Sequence, residues 1–340
     1  ELCTVLCESM GTFSLAALSG FLDADSASSA LAATITPRVL GDDSTNNASG
    51  PLAVFYANCQ GSGLAYWLRR SPAFRRAYPR VRCVAVHDLV DRREEDFSEE
   101  QAAWLGSCAL LVYQPIREAH GPFATTARGV LGRLRPGTRT LSFAYLYHEA
   151  YFPLFPERDF VNARGADALW RFVERRAAED WRQPLGAVVA AVRRDLAAGA
   201  LDGADFFDLA ARTSDTLAQL RARERSLDVR CADYVEAHPE EPLFLTQNHP
   251  ASLLLYHCAN EALGALGLPR LAEADRAAAE ADANAAGIPG RVWPSSAFER
   301  RFRGLDDPPV AVPAFYLELY DRVCVRRLAA VDGGVAECYG

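Results

Sequence analysis

The stretch that decides the fold is LAVFYANCQGSGLAYWLRR, residues 52–70. Residues 52–58 form a short apolar run of strand formers, and a turn signal follows it. The rest of the stretch has apolar side chains at helical spacing, at Leu64, Trp67 and Leu68. A strand that leads directly into a helix is typical of a βαβ unit.

The following residues repeat this alternation. Strands are predicted over residues 81–88, 108–114 and 138–146. Helices are predicted over residues 98–106, where Ser98 and Gln101 form a capping box, and over residues 124–137. Alternating strands and helices of these lengths predict a parallel sheet with right-handed crossovers, and therefore the α/β class.

The character of the chain changes after residue 146. Residues 147–160 form an aromatic loop, and most of the remaining sequence has helical patterning, interrupted by PLFLTQNHP at 242–250. We predict helices over residues 166–199, 203–224, 226–238, 250–267, 270–286 and 313–329. The predicted organisation is an N-terminal extension or linker (1–50), a parallel α/β part (51–165), and a mainly helical part (166–340) that returns to the sheet near 243–250.

The N-terminal extension has two features of its own. Residues 10–22 are apolar but too short to span a membrane, so they fit the core of a signal sequence, the remains of an anchor or a docked helix. Residues 23–50 read as a polar linker with a glycosylation sequon at Asn47-Ala48-Ser49. Membrane association is expected only through this extension.

Composition excludes several classes of protein. The 340 residues carry 36 basic and 44 acidic side chains, a net charge of −8, which argues against a dedicated nucleic-acid binder. Every basic residue is arginine, so a lysine Schiff base and a P-loop lysine are absent. The nine cysteines have neither CxxC nor paired zinc spacing, and no metal site is predicted.

Polar residues follow the strand ends, where an open parallel sheet binds its ligands. Asn58, Cys59 and Gln60 follow the first strand, Gln114 follows the third, and His249 follows the late apolar segment. Because Cys59 lies at a helix N-terminus, a lowered thiol pKa is expected there. A nucleophilic thiol needs a base, and His249 is the best candidate; the alternative is a small buried cysteine at a tight turn.

The motifs that carry a family resemblance are the strand–Asn58-Cys59-Gln60–helix start, Tyr113-Gln114-Pro115-Ile116, and Asn248-His249-Pro250-Ala251 before a helix. In this order, over residues 52–330, they resemble the WcbI family of capsular polysaccharide biosynthesis. The resemblance implies an SGNH/GDSL-like parallel sheet between helices and an acetyltransferase that uses coenzyme A. The SGNH family places Asp three residues before its histidine, whereas Thr246 precedes His249 here.

The resulting prediction is acyl transfer from acetyl-coenzyme A to a carbohydrate hydroxyl. His249 is the general base, acting on Cys59 or on the sugar, and the amides after Cys59, with Asn58 and Gln114, hold the oxyanion. The predicted cofactor-binding residues are Gln60, Gly61, Ser62, Arg69, Arg70, Arg75 and Arg76. The predicted substrate-lining residues are Tyr145, Tyr147, His148 and Tyr151.

Two alternatives stay open at this point. An SGNH-type esterase or deacetylase would use the same residues with water as the acceptor, and a non-catalytic module would bind coenzyme A or glycan only. Family analogy favours a cytoplasmic location, and the sequon favours a secretory or Golgi location. The sequence does not determine the acceptor sugar or the oligomeric state.

Overall fold

A computed structural model describes most of the chain from residue 49 to residue 277. The gaps within that range are residues 87–88, 90–94, 152–155, 158–159, 162, 181, 199, 201–208 and 242, and seven positions between 317 and 328 are also described. The predicted N-terminal extension therefore lies, up to residue 48, outside the described residues.

A four-stranded parallel sheet forms the centre of the fold. Its strands are β1 (Leu52–Ala57), β2 (Arg80–Ala85), β3 (Leu110–Tyr113) and β4 (Arg139–Ser142), in the spatial order β2-β1-β3-β4. The predicted α/β class and the four strands of the first half are confirmed. The fourth strand is shorter than the predicted residues 138–146 and ends at Ser142.

Helices cover both faces of the sheet. They are α1 (Cys59–Leu68), α2 (Pro72–Ala77) and α3 (Glu99–Ser107), and the predicted capping box at Ser98 and Gln101 is present. All six residues of β1 are buried. Ala53, Phe55 and Ala57 pack with α1, whereas Leu52, Val54 and Tyr56 pack on the α3 face. Because strand side chains alternate between faces, this burial means that β1 is enclosed on both sides.

The predicted helix over residues 124–137 is wrong. Within this stretch the structure has one short 3₁₀ segment, Val130–Arg133, and a second one, Glu118–Phe123, comes just before it. The chain folds back so tightly that a Cβ at Gly129 would lie 2.1 Å from the oxygen of Ala124, and one at Gly132 would lie 2.0 Å from the oxygen of Ala127. Glycine permits this close backbone approach, which the apolar spacing of the segment does not reveal.

The second half is mainly helical. Its helices are α4 (Ala163–Glu179), α5 (Leu185–Ala197), α6 (Leu209–Glu224), α7 (Ala232–Ala237) and α8 (Ser252–Ala265). The stretch predicted as one helix over 166–199 is two helices, and Pro184 stands at the N-cap of the second. In the described part of the chain, no helix is both long enough and apolar enough to cross a membrane.

The chain returns to the sheet differently from the prediction. Val229 forms a parallel bridge with Phe143, beside the end of β4. Residues 243–250 instead form a separate antiparallel pair, β7 (Phe244–Thr246) and β8 (His249–Pro250). A second, independent antiparallel pair is formed by β5 (Pro156–Glu157) and β6 (Phe160–Val161). The β7–β8 hairpin lies against the carboxyl ends of the central strands through the hydrogen bonds described below.

Candidate functional site

The strand order creates a crevice at the carboxyl ends of β1 and β3. From β1 the chain moves outward to β2, and from β2 it crosses to β3 on the other side of β1. In open α/β sheets, ligands bind at such a switch point. The backbone N–H of Asn58 donates to Oε1 of Gln114 across this crevice (3.0 Å).

Cys59 is the first residue of α1, and Asn58 is its N-cap. Oδ1 of Asn58 accepts from the N–H of Gln60 (2.9 Å), and the Asn58 carbonyl accepts from Gly61 (3.0 Å). In the described part of the chain, the N–H of Cys59 donates to no other residue. The Cys59 side chain is exposed. The first turn of α1 therefore presents one thiol and one backbone donor together at the crevice.

The lowered pKa expected for Cys59 is corrected by the structure. The surrounding protein atoms desolvate the thiol and raise its pKa, although the backbone N–H groups of Cys59 and Gln60 act in the opposite direction. Desolvation outweighs the helix N-terminus because the side chain, though accessible, is closely surrounded. Cys59 is therefore a neutral thiol near neutral pH.

Gln60 is the central hydrogen-bonding residue of the site. Its Nε2 group donates to the carbonyl oxygens of Leu146 (2.8 Å) and Asn248 (2.7 Å). Its Oε1 accepts from Nε2 of Gln114 (2.9 Å) and from the N–H of Leu146 (3.0 Å). The side chain is fully hydrogen-bonded and 3% exposed, so Gln60 positions the site and has no free group for a cofactor.

Gln114 is equally committed. It is 3% exposed, and its Nε2 group donates both to Gln60 and to the carbonyl oxygen of Ala144 (3.4 Å). Since neither amide proton is free, Gln114 is not the oxyanion donor that the sequence predicted. It fixes the backbone of Asn58 instead, immediately before Cys59.

The β7–β8 hairpin carries His249 to this edge. Gln60 is the chain neighbour of Cys59, and Asn248 is the chain neighbour of His249. The hydrogen bond between Gln60 and Asn248 therefore holds together the two segments that carry the predicted thiol and the predicted base. His249 is half-buried, and burial lowers its pKa. A neutral imidazole is the proton-accepting form, which suits a general base near neutral pH.

The aromatic segment after β4 lies beside the hairpin. The rings of Tyr145 and Tyr147 stack at 6.2 Å, and the Tyr147 hydroxyl donates to Oε1 of Gln247 (3.1 Å). His148 is buried, and its backbone N–H donates to the Gln247 carbonyl oxygen (2.7 Å). The centroid of its ring lies 5.5 Å from that of Phe244. These contacts make His148 a packing residue. Tyr151 ends a short 3₁₀ turn, and its side chain is outside the described ones.

The glycines after Cys59 pack helices together. A Cβ at Gly61 would lie 2.7 Å from Cβ of Ala57, and one at Gly63 would lie 2.8 Å from Cδ1 of Leu255 on α8. The Ser62 side chain lies beside the Cys83 thiol of β2. The predicted cofactor-binding pair Gly61 and Ser62 is therefore inside α1, where it supports packing.

The predicted phosphate-binding arginines lie at the other end of α1. Arg69 and Arg70 follow its last residue, and Arg75 and Arg76 are in the last turn of α2. Cys59 is the first residue of this ten-residue helix and Arg69 follows its last, so the two are about 15 Å apart along the axis at a rise of ~1.5 Å per residue. The structure does not bring these arginines to the thiol.

Sequence reasoning missed Arg223, at the end of α6. Its Nη2 atom is buried without a hydrogen-bond partner, and Tyr145 and Tyr147 are among its charged or titratable neighbours. Burial lowers its pKa. The surrounding sequence RARER (221–225) resembles a solvated helix face, so nothing in the pattern distinguishes this arginine from the others.

One cavity of about 650 Å³ lies between α6, α7 and α8, away from Cys59 and His249. Its lining includes Arg225, Arg230, Tyr234, His238 and His257. The Tyr234 ring stacks between His238 (4.1 Å) and His257 (4.0 Å). Across the described residues, no three His, Cys, Asp or Glu side chains converge as metal ligands.

The fold and the site define a class: an α/β protein with an accessible cysteine at a helix N-terminus and a histidine-bearing hairpin at the sheet's switch point. The family described as polysaccharide biosynthesis enzyme WcbI matches residues 52–271, and the chain belongs to that family. The predicted membership is confirmed, and the family is one of enzymes.

A solved structure of WcbI shows the same fold. It is described as a novel polysaccharide biosynthesis enzyme, in the native form without a disulfide bond between coenzyme A and one of its cysteines. The two chains are 20% identical, the match covers 83% of this chain and 96% of that one, and the TM-score is 0.52. No curated protein matches the chain.

Proposed function

We propose that this protein transfers an acetyl group from acetyl-coenzyme A to a hydroxyl of a polysaccharide or sugar acceptor. The observation that carries the proposal is the hydrogen bond between Gln60 and Asn248, which joins the Cys59 and His249 segments at the switch point. Family membership supports a carbohydrate acceptor. The description of the solved WcbI structure names coenzyme A together with one of its cysteines, in a form without a disulfide bond between them, and this supports coenzyme A as the cofactor here.

The proposed chemistry begins with His249. Its neutral imidazole accepts the proton of the acceptor hydroxyl as the oxygen attacks the thioester carbonyl carbon. The carbonyl oxygen becomes an oxyanion, and the N–H of Cys59 at the N-terminus of α1 donates to it. The carbon–sulfur bond then breaks, the coenzyme A sulfur takes the proton from the imidazolium, and the acetyl ester leaves with the sugar.

In this proposal Cys59 contacts the cofactor sulfur and is not required to be the nucleophile. A raised thiol pKa favours that role, because a neutral thiol is a weak nucleophile. Gln60 and Gln114 are positioning residues, since their amide groups are committed to the frame around Cys59 and Asn248. Tyr145 and Tyr147 offer aromatic surface to a sugar ring.

The test is release of free coenzyme A from acetyl-coenzyme A in the presence of candidate polysaccharides. We expect His249→Gln to reduce turnover by about 10²–10⁴-fold, the range for loss of a general base. Cys59→Ala is expected to raise KM for acetyl-coenzyme A more than it lowers kcat. His257→Gln, which removes a histidine on α8, is the matched control with unchanged turnover.

The alternatives predict different results. Hydrolysis of a simple aryl acetate at the same site, with no response to coenzyme A, indicates the esterase. Full coenzyme A binding with no turnover, and no effect of either substitution, indicates a binding module. Either result overturns the proposal.

A further inference from the structure

A group of arginines surrounds the edge strand of the sheet. Five of them, which we call the arginine patch, lie after α1, on α2 and on β2: Arg69, Arg75, Arg76, Arg80 and Arg82. Arg70 borders the patch and stacks its guanidinium 4.7 Å from the ring of Tyr66. Because β2 is the edge strand of the described four-stranded sheet, the patch lies at that edge.

Among the described residues, the patch has no carboxylate paired with it. In the part of the chain that is described, no carboxylate forms an ion pair with any of its five members. Nη1 of Arg69 and Nε of Arg80 are buried without a hydrogen-bond partner. Burial and the charges of Arg75 and Arg70 lower the pKa of Arg69.

The patch is separate from the catalytic edge. Arg80 pairs with Leu52, the first residue of β1, whereas Cys59 follows the last residue of that strand. Arg69 lies a further helix length, about 15 Å, from Cys59. A small anion on the patch would therefore not contact the thiol, but a polymer could reach both places.

The side chains around the patch favour one class of anion. Trp67, Phe74 and Val81 of this region are buried, and Tyr78 and Trp104 are half-buried. The most exposed side chains of the patch are therefore guanidinium groups, and within the described chain it has no exposed aromatic or aliphatic anchor for a membrane. The guanidinium of Arg82 is held 5.6 Å from the Trp104 ring. Arg75 and Arg76 are exposed, so their donors are free for carboxylate or sulfate groups spaced along a chain.

We propose that the arginine patch binds an acidic polysaccharide and holds a charged part of the polymer while another part reaches the Cys59–His249 site. This inference rests on the proposed function only for the acceptor being a polysaccharide. It adds that the acceptor is negatively charged and that the protein contacts more than the reacting sugar.

The experiment measures binding of the full chain to dextran sulfate and hyaluronan, with neutral dextran for comparison, as a function of salt. The patch variant is Arg75→Gln/Arg76→Gln, at exposed positions that leave the core unchanged. The control variant is Arg171→Gln/Arg194→Gln, which removes two exposed arginines from α4 and α5 and changes net charge equally.

We expect the wild type and the control to bind both acidic polymers but not neutral dextran. The patch variant should bind about tenfold more weakly, and the slope of log affinity against log salt should fall by about two, one per lost anion contact. Equal losses in both variants would mean a general charge effect and overturn the inference. Patch-dependent binding that is as tight to anionic lipid vesicles or to DNA would also overturn it.

Two further results separate this inference from the proposed function. Displacement of the polymer by coenzyme A would assign the patch to the cofactor's phosphates and overturn the inference. Polymer binding that persists in His249→Gln supports binding by the arginine patch, whether or not the protein transfers an acetyl group.

Discussion

Nε2 of Gln60 donates to the carbonyl oxygen of Asn248 at 2.7 Å, across 188 positions of sequence. This contact connects the first turn of α1 to the hairpin that carries His249. The same amide group holds Leu146, and its oxygen accepts from Gln114. One buried side chain thus joins β1, β3, the segment after β4 and the hairpin.

Removing the amide of Gln60 should destabilise the protein and inactivate it. Gln60→Leu leaves two carbonyls and two N–H donors without partners, and each such buried group costs roughly 1–3 kcal/mol. We expect a decrease of about 3–5 kcal/mol in the free energy of unfolding, measured with urea. Gln219→Leu, on an exposed face of α6, is the control. If Gln60→Leu lowers the free energy of unfolding no more than Gln219→Leu does, the role given to Gln60 is contradicted.

Three Gly→Ala substitutions should differ in their effect on stability in a fixed order. A Cβ at Gly186 would meet no atom within 4 Å, so Gly186→Ala should stabilise α5, by about 0.5–1 kcal/mol. The new methyl of Gly63→Ala meets the flexible end of Leu255, whereas that of Gly61→Ala meets Cβ of Ala57, the last residue of β1. We expect Gly61→Ala to be the most destabilising, by about 1–3 kcal/mol. Thermal unfolding of all three would show the order, and equal effects would contradict the packing described.

His249 should make stability and activity fall together on acidification. Burial lowers its pKa in the folded state, so the unfolded chain binds the proton more readily. The contribution to stability is complete above the ordinary value of about 6.5 and is lost as pH falls below it. His249→Gln should remove that pH dependence, and the acidic limb of wild-type activity should lie below a pH of about 6.5.

His257 is the matched control for that experiment, because burial also lowers its pKa. His257→Gln should change the pH dependence of stability in the same direction and leave the pH profile of activity unchanged. A shifted activity profile in His257→Gln, or an unshifted one in His249→Gln, would count against the assignment.

Cys59 should be the first described cysteine to react with iodoacetamide in the native protein. It is exposed, whereas Cys108, Cys231, Cys258 and Cys324 are buried and Cys83 is half-buried. Its raised pKa predicts slower alkylation than an ordinary free thiol at a pH of about 7.5, with a marked increase at higher pH. Peptide mass spectrometry identifies the labelled residue; faster labelling at Cys83 would contradict the described exposure.

The features that the sequence predicted correctly are those that depend on local patterns of residues. Alternating strands and helices, the capping box at Ser98 and the family all followed from short-range signals. The tight 3₁₀ turns were missed because Gly129 and Gly132 matter through backbone contacts that spacing does not show.

The roles of single polar residues were harder to predict. Gln60 and Gln114 look like free polar groups in the sequence, yet their partners come from distant segments and leave them no free donor. The thiol pKa depended on burial, which a helix N-terminus does not determine. The sequence shows that arginines cluster after the first strand, but only the length of α1 shows that they lie away from Cys59.

The most direct measurement is a thermal-shift titration with coenzyme A and acetyl-coenzyme A, with ATP as the control. A ligand at about a hundred times its dissociation constant stabilises the fold by roughly 2.7 kcal/mol. We expect a rise with both coenzyme A forms, none with ATP, and a smaller rise for Cys59→Ala. No rise with either coenzyme A form, or an equal rise with ATP, would contradict coenzyme A binding at the Cys59–His249 site.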